Sequence, residues 1–202
     1  MMENSEKRIL KRLWKLQFLK GIISEDDLKR TGADPGGLIS KRIIYKSRGG
    51  YKLSSAGRKK IKIVACGGVF DILHPGHGFI LEKSKELGDL LVVIVARDST
   101  VMKRKRIPIV PEEQRLEMVK YLKHVDLATL GEEGDYLKII ERIAPDIIAL
   151  GPDQHHDANK IKSELETRGL RVEVVRVEEY KEAPLHSTRD ILRRIIERDY
   201  PR

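Results

Sequence analysis

Cysteine is almost absent from this 202-residue chain: Cys66 stands alone. A single thiol cannot close an internal disulfide, so a cross-linked secreted scaffold is excluded and the reducing cytoplasm is the expected setting. Long apolar runs are missing as well. No stretch approaches the ~20 apolar residues that span a bilayer, and the basic N-terminus lacks the apolar core of a signal peptide, so no membrane partner is expected. Internal repeats and low-complexity tracts are absent. No Ser-His-Asp set, no catalytic cysteine and no obligatory carboxylate pair can be assembled, which argues against covalent hydrolysis and glycosidase-type chemistry.

What is present is unevenly placed. Residues 1–60 hold 16 Lys and Arg against six Asp and Glu, a net +10, while the remainder holds 24 against 25, a net −1. Such asymmetry suggests two modules, placed here at residues 1–59 and 60–202, the first facing an anionic partner or simply kept soluble by its charge. In the first module Ile9, Leu10, Leu13, Trp14, Leu16, Phe18 and Leu19 form a helical stripe from about Ser5 to Gly21. Ser24 to Leu28 reads as a capped helix start, and a short helix is expected over 37–42, although Pro35-Gly36-Gly37 is a poor way in. Residues 43–53 read as two strands around Gly49-Gly50. Three helices and a basic hairpin resemble a winged helix-turn-helix. That resemblance implies DNA binding, with Lys46, Arg48 and Lys52 on phosphates and Lys41 and Arg42 near a recognition helix, or else a docking or homodimerising use.

The second module alternates. Candidate strands at 61–66, 90–96, 125–130, 146–150 and 171–177 are interleaved with helical patterns at 78–87, 111–123, 135–143 and 157–168, and a last one at 187–198. Alternation of this kind implies an α/β fold: a Rossmann-like parallel sheet with right-handed crossovers and helices on both faces. Ligands of such sheets bind beyond the carboxyl ends of the strands, where strand order reverses.

The segment Gly67-Gly68-Val69-Phe70-Asp71-Ile72-Leu73-His74-Pro75-Gly76-His77 follows the first of these strands. It lacks the Gly-x-Gly-x-x-Gly spacing of a dinucleotide fold and the Gly-Lys-Ser/Thr ending of a P-loop. Its glycines allow backbone to approach a ligand, and the first-turn N–H groups of a helix attract anions. Histidines at i and i+3 project from one side, so both rings can face one phosphate. The arrangement suits a bound triphosphate.

Gly68, Phe70, Asp71, His74, Gly76 and His77 resemble the G-T-F-D-x-x-H-x-G-H signature of the cytidylyltransferase-like nucleotidyltransferases. Val69 stands where many relatives have Thr or Ser, so a contact from this position has to come from backbone. The resemblance implies catalytic roles for His74 and His77 and nucleotide-binding roles for Gly68, Val69, Phe70, Asp71 and Gly76. It extends to further elements. Ala96-Arg97-Asp98 ends the second strand, and Asp98 either orients an acceptor or caps the following turn. A family lysine on phosphate falls in the cation run Met102 to Arg106, at Lys103 or Lys105, with Lys103 preferred. Glu113-Gln114-Arg115 resembles an E-x-R helix start, with Arg115 linking that helix to the crevice. Gly151 and Asp153 match a G-x-D element, where Asp153 either bonds a ribose or fixes the loop. Vicinal His155 and His156 have no acidic ligand at a convincing spacing, so no protein-held metal is expected.

Leu185-His186-Ser187-Thr188-Arg189 resembles the family's I-S-S/T-T(-x)-R signature and opens the last helix. Ser187 or Thr188 can cap it, their N–H groups can hold phosphate oxygens, and Arg189 adds charge there. Taken together, residues 62–192 resemble the archaeal FAD synthetases of this family. That likeness implies transfer of AMP from ATP to FMN with Mg²⁺ as divalent cation. A cytidylyltransferase using CTP and glycerol-3-phosphate shares nearly every motif and is the alternative. A nucleotide-sensing DNA-binding regulator is a second.

Overall fold

A computed structural model describes residues 2–103, 107–152, 154, 157–179 and 183–198. The chain divides into two compact units, residues 1–63 with 88–90 and residues 64–87 with 91–202.

The first unit runs α1 (Met2–Lys20), α2 (Glu25–Thr31), α3 (Pro35–Ser40), β1 (Ile44–Ser47), β2 (Gly50–Leu53) and α4 (Ser55–Arg58). The apolar stripe of α1 is buried as its spacing demands: Leu10, Leu13 and Trp14 join Ile23, Leu28, Leu38, Ile44 and Leu53 in the core. Helix α2 begins with a capping box. The Ser24 hydroxyl accepts the Asp27 amide at 3.1 Å and the Asp27 carboxylate accepts the Ser24 amide at 3.4 Å. Helix α3 departs from the sequence pattern, starting at Pro35 rather than at 37. Asp34 supplies the reason: its carboxylate accepts the amides of Gly36 at 3.1 Å and Gly37 at 2.7 Å, while Pro35 fills a first-turn position that needs no N–H. Strands β1 and β2 pair antiparallel, and Ile23 adds a bridge to Tyr51 through N–H bonds of 3.0 and 2.8 Å.

The alternating pattern yields β3 (Ile63–Gly68), α5 (Pro75–Glu86), β4 (Leu90–Val95), α6 (Asp98–Met102), α7 (Glu112–Lys120), β5 (Leu127–Leu130), α8 (Leu137–Ile143), β6 (Ile147–Leu150), α9 (Ala158–Thr167), β7 (Glu173–Arg176) and α10 (Thr188–Ile196). The five strands form one sheet in the order β5-β4-β3-β6-β7, and β3–β6, β4–β5 and β6–β7 are parallel. The chain therefore steps outward in one direction from β3 to β5, then returns to β3's other side with β6. The strand order reverses between β3 and β6, and the region beyond their carboxyl ends is where sheets of this kind take their ligands, in the crevice such a reversal leaves.

Every residue of β4, Leu-Leu-Val-Val-Ile-Val, is buried, the mark of a strand covered on both faces. Val64, Cys66, Leu91, Val93, Val95, Ile147 and Ala149 recur at every second position and share one face with Phe70, Leu81 and Val119. Burying each such aliphatic side chain contributes roughly 1.5–3 kcal/mol. This layer holds the strand ends in place beneath the crevice.

Two boundaries differ from the sequence pattern in ways that matter for the crevice. Strand β3 continues through Gly67 and Gly68, which carry ladder geometry rather than a turn. Helix α5 starts at Pro75 instead of 78, because Pro75 suits the first helical position and the His77 amide closes the first turn on the His74 carbonyl at 2.9 Å. Both histidines thereby move to the helix entrance.

Candidate active site

The turn out of β3 is made at Phe70, whose φ of +53° is in the left-handed region. Its ring folds back over Gly68, where any Cβ would lie 2.7 Å from it. Phe70 is buried, and its centroid is 5.1 Å from that of His77. His74 sits in extended conformation as the N-cap of α5 and makes no side-chain cap bond. The rings of His74 and His77 stack with centroids 3.8 Å apart and an interplanar angle of 28°. The i, i+3 spacing thus does what the sequence pattern required of it: both imidazoles share one side of the helix entrance.

Gly76, between them, is where the second signature arrives. A Cβ there would stand 2.9 Å from the His186 carbonyl oxygen and 3.1 Å from His74 Nδ1. Only glycine lets the chain at 186–187 come this close. The start of α10 is consequently packed against the start of α5, and two helix N-termini converge although their first residues, Pro75 and Thr188, are 113 positions apart in sequence. Ser187 caps α10. Its hydroxyl accepts the Asp190 amide at 3.1 Å and donates to the Asp190 carboxylate at 2.6 Å. That hydrogen bond, with His186, Arg193 and Arg189 nearby, holds the Asp190 carboxyl below the usual carboxylate range. Thr188 is buried at the first helical position, whereas Arg189 is exposed. Asp190 pairs with Arg193 and lies 3.7 Å from His186 Nδ1, and Glu197 also pairs with Arg193.

Around this pair of helix starts, charged side chains brace the loops. Arg115 is 1% exposed. Its guanidinium donates to the carbonyls of Val110 and Ala96 at 2.8 Å each, to that of Val69, and to the Asp98 carboxylate at 2.6 Å. The other Asp98 oxygen accepts the Glu112 amide at 3.3 Å, and Glu112 returns the bond by accepting the Asp98 amide at 2.6 Å. Arg97 donates to Glu112 at 2.6 Å and to the Gly131 carbonyl at 2.9 Å. Asp71, 5% exposed, accepts the amides of Ile109 and Val110, both at 2.9 Å. One Arg115 side chain therefore ties together the chain after β3, the chain after β4 and the entrance of α7.

The sequence-expected residues fall into three sets. His74, His77, Gly76, Ser187 and Thr188 meet at the two helix starts, with Gly68, Val69 and Phe70 in the turn leading to them. Asp71, expected on the nucleotide, accepts the amides of Ile109 and Val110, and Asp98, expected on the acceptor or as a cap of the following turn, bonds Arg115 and the Glu112 amide. The Ser187 hydroxyl is likewise engaged by its own helix, leaving backbone N–H groups as its offering to a ligand. Lys103 is exposed at the end of α6, and Lys105, Asp153, His155 and His156 lie outside the described residues. Gly151 is buried after β6, its carbonyl accepting from Arg176 at 3.0 Å. The sequence pattern gave no role to Gln154, yet its amide donates to the Gly67 carbonyl at 2.7 Å and fastens the β6 loop to the end of β3. A side chain whose partner is a backbone carbonyl has no counterpart residue in the sequence to betray it.

A parallel sheet with this order reversal, two converging helix N-termini and a stacked histidine pair define a class of nucleotide-handling transferase. Residues 65–194 match the Cytidylyltransferase-like family model, and the chain belongs to that family; it is a nucleotidyltransferase. It is similar to the "FAD synthase" of Methanobrevibacter ruminantium, 54% identical over 143 residues that make up 69% of this chain and 95% of that protein. It is also similar to the "FAD synthase" of Methanothermus fervidus, 59% identical over 131 residues, 63% of this chain and 90% of that one. Among solved structures, the lipopolysaccharide core biosynthesis protein from Thermoplasma volcanium GSS1 superposes with a TM-score of 0.59 at 47% identity, covering 60% of this chain and 99% of that one.

Proposed function

We propose that this chain makes FAD, transferring the AMP of ATP to FMN with release of pyrophosphate. An FMN phosphate oxygen attacks the α-phosphorus of ATP in line. The new P–O bond forms as the bond from the α-phosphorus to the α,β-bridging oxygen breaks, and that oxygen leaves with pyrophosphate. No covalent enzyme intermediate is required, so the protein's contribution is positioning and charge stabilisation. The observation that carries the reading is the close approach of Gly76 to the His186 carbonyl, which sets the α5 and α10 entrances side by side. The sequence likeness to proteins named FAD synthase supplies the substrates.

In this reading His74 and His77 donate ring N–H groups to the α-phosphate as charge builds on it. The backbone at Gly68, Val69, Phe70 and Gly76 lets the nucleotide approach closely, and Gly151 with Asp153 borders its ribose. The first-turn amides at Ser187 and Thr188, with Lys103 and Arg189, receive the departing pyrophosphate. Asp71 and Asp98 act through the loops they hold. With those carboxylates engaged by amides and by Arg115, a divalent cation, Mg²⁺ in this proposal, would be brought mainly by the nucleotide's phosphates and would supply charge neutralisation there. Such an ion neutralises charge on the β- and γ-phosphates. A chain that draws on ATP and FMN works in the cytoplasm.

Incubation of the purified chain with ATP and FMN, followed by chromatography, should yield FAD and pyrophosphate. His77→Ala should lower kcat by ~100-fold, the loss typical of removing one donor to transition-state charge. Unchanged turnover in a folded His77→Ala protein would reject the assignment of the site. Faster turnover of CTP with glycerol-3-phosphate would replace the substrates while leaving the chemistry.

A further inference from the structure

The family model matches residues 65–194 and so begins beyond α1 to α4 and the β1–β2 hairpin. The 143 residues aligned with the Methanobrevibacter ruminantium protein take in 95% of it, so too little of that protein remains to hold a counterpart of residues 1–63. What the unit adds is legible in its charge. From Pro35 to Phe70 the sequence contains nine Lys and Arg and not one Asp or Glu. Five of the nine, Lys41, Arg42, Lys46, Arg48 and Lys52, lie between the end of α3 and β2. Four are exposed or nearly so and Lys52 is half-buried. Among the described residues none of the five forms an ion pair, whereas Lys20 and Lys60 of the same unit pair with Asp27 and Glu6.

The hairpin carries cations on both faces: Lys46 stands opposite the buried Tyr51 yet is exposed near the end of β1, and Lys52 lies on the other face. In the hairpin register Ile44 faces Leu53 and Tyr45 faces Lys52. Ile44 and Leu53 are buried, so strand alternation puts Tyr45 and Lys52 on the outer face, where Tyr45 is 50% exposed. Arg48 stands at the two-residue tip beside Gly49. Preceding the hairpin, α2 and α3 are joined by Gly32, Ala33 and Asp34, with Gly32 at φ +72°. Two short helices joined by a three-residue turn containing glycine, followed by a cationic ribbon, is the order of elements that docks on B-form DNA with the ribbon along the backbone.

We propose that the first unit binds duplex DNA through its phosphates, using the end of α3 and the β1–β2 hairpin. Helix α3 itself offers little to base edges: Pro35, Gly36, Gly37, Leu38, Ile39 and Ser40 include no long hydrogen-bonding side chain, and Lys41 and Arg42 at its end are assigned to phosphates. Affinity then comes from counterions released by five cations and is indifferent to sequence. An A-form RNA duplex, whose major groove is too deep and narrow for a helix, offers a poorer fit.

The test uses the full chain and fluorescently labelled DNA duplexes of two unrelated sequences, titrated across a salt series. With five phosphates neutralised, affinity should fall roughly 500-fold between about 50 and 200 mM salt, and by about tenfold in a Lys46→Ala/Arg48→Ala/Lys52→Ala protein that retains two contacts. Both duplexes should behave alike. A Lys46→Glu/Arg48→Glu protein with an unaltered melting temperature should bind still more weakly at low salt. No binding of the full chain at low salt, or a salt slope unchanged by the triple substitution, would overturn the proposal. So would a strong preference for one DNA sequence, for an RNA duplex, or for phosphatidylserine vesicles. None of these readouts depends on FAD formation, so the outcome is independent of the enzymatic reading.

Discussion

The two units treat charged side chains in opposite ways. Around the crevice, Arg97, Arg115, Asp98, Glu112 and Asp71 are linked to one another and to backbone carbonyls and amides, and residues 61–202 are nearly neutral in sum. In the stretch from Lys41 to Lys52 the cations have no such ion-pair partners among the described residues. A charge surrounded by protein groups positions loops; a charge facing water is available to something outside. The contrast teaches that a residue's type says little about whether it recognises a ligand or organises the structure. Where its hydrogen-bonding capacity is directed decides that.

The largest expected effect tests whether the crevice unit is as closed as this contrast requires. Cys66 is the chain's one thiol, buried at the end of β3, and burial pushes it up to about 11. A rise of this size lowers the thiolate fraction at pH 8 by roughly 100-fold, and with burial also limiting access a disulfide reagent should label the native chain far more slowly than unfolded chain. Rapid labelling of native protein would show the second unit opening readily. Because the first unit has no cysteine, the same label reports on the second unit alone.

Arg115→Ala strikes the centre of the brace. It removes four partners of a buried guanidinium and should cost about 3 kcal/mol of stability, at the low end for a broken buried pair because Asp98 retains some exposure. Thermal or urea unfolding measures it. Arg115→Lys restores charge without the planar fork, and in that variant, once folded, kcat should remain depressed while the melting temperature partly recovers. Full recovery of both would reduce Arg115 to a charge.

Asp34→Ala does the corresponding damage in the first unit. Loss of the carboxylate that caps α3 should cost about 1 kcal/mol there, without altering nucleotidyl transfer. An equal loss of turnover would mean that the two units are coupled. The smallest effect is expected from removing residues 1–59 altogether: the remaining chain, close in extent to its FAD synthase relatives, should keep kcat within about twofold, since no residue assigned to the transfer step is removed. A folded but inactive remainder would break the division of labour.

Much was legible from residues alone. The i, i+3 histidines, the strand–helix alternation, the glycine between the histidines and the charge imbalance are local or additive properties of the chain, and each led to the α/β sheet, the family or the polarity of the first unit. Local signals also misled where a neighbouring carboxylate intervened: Pro35-Gly36-Gly37 opens a helix because Asp34 caps it. Similarly, α5 begins three residues before its apolar periodicity does, since capping and proline preference, not burial, set that boundary.

By itself the sequence determined that the family's glycine–histidine signature follows the first strand of the second unit and that positive charge gathers in the first. Those facts depend on periodicity, spacing and composition, which folding does not change. Only the tertiary structure decided that the chain at His186 approaches Gly76, that Gln154 reaches the Gly67 carbonyl, and that Asp71 and Asp98 accept amides of the loop and helix entrance after β4. Those outcomes turn on which backbone groups lie within hydrogen-bond reach once the sheet has formed, and a backbone amide or carbonyl has the same chemistry at every position in the sequence.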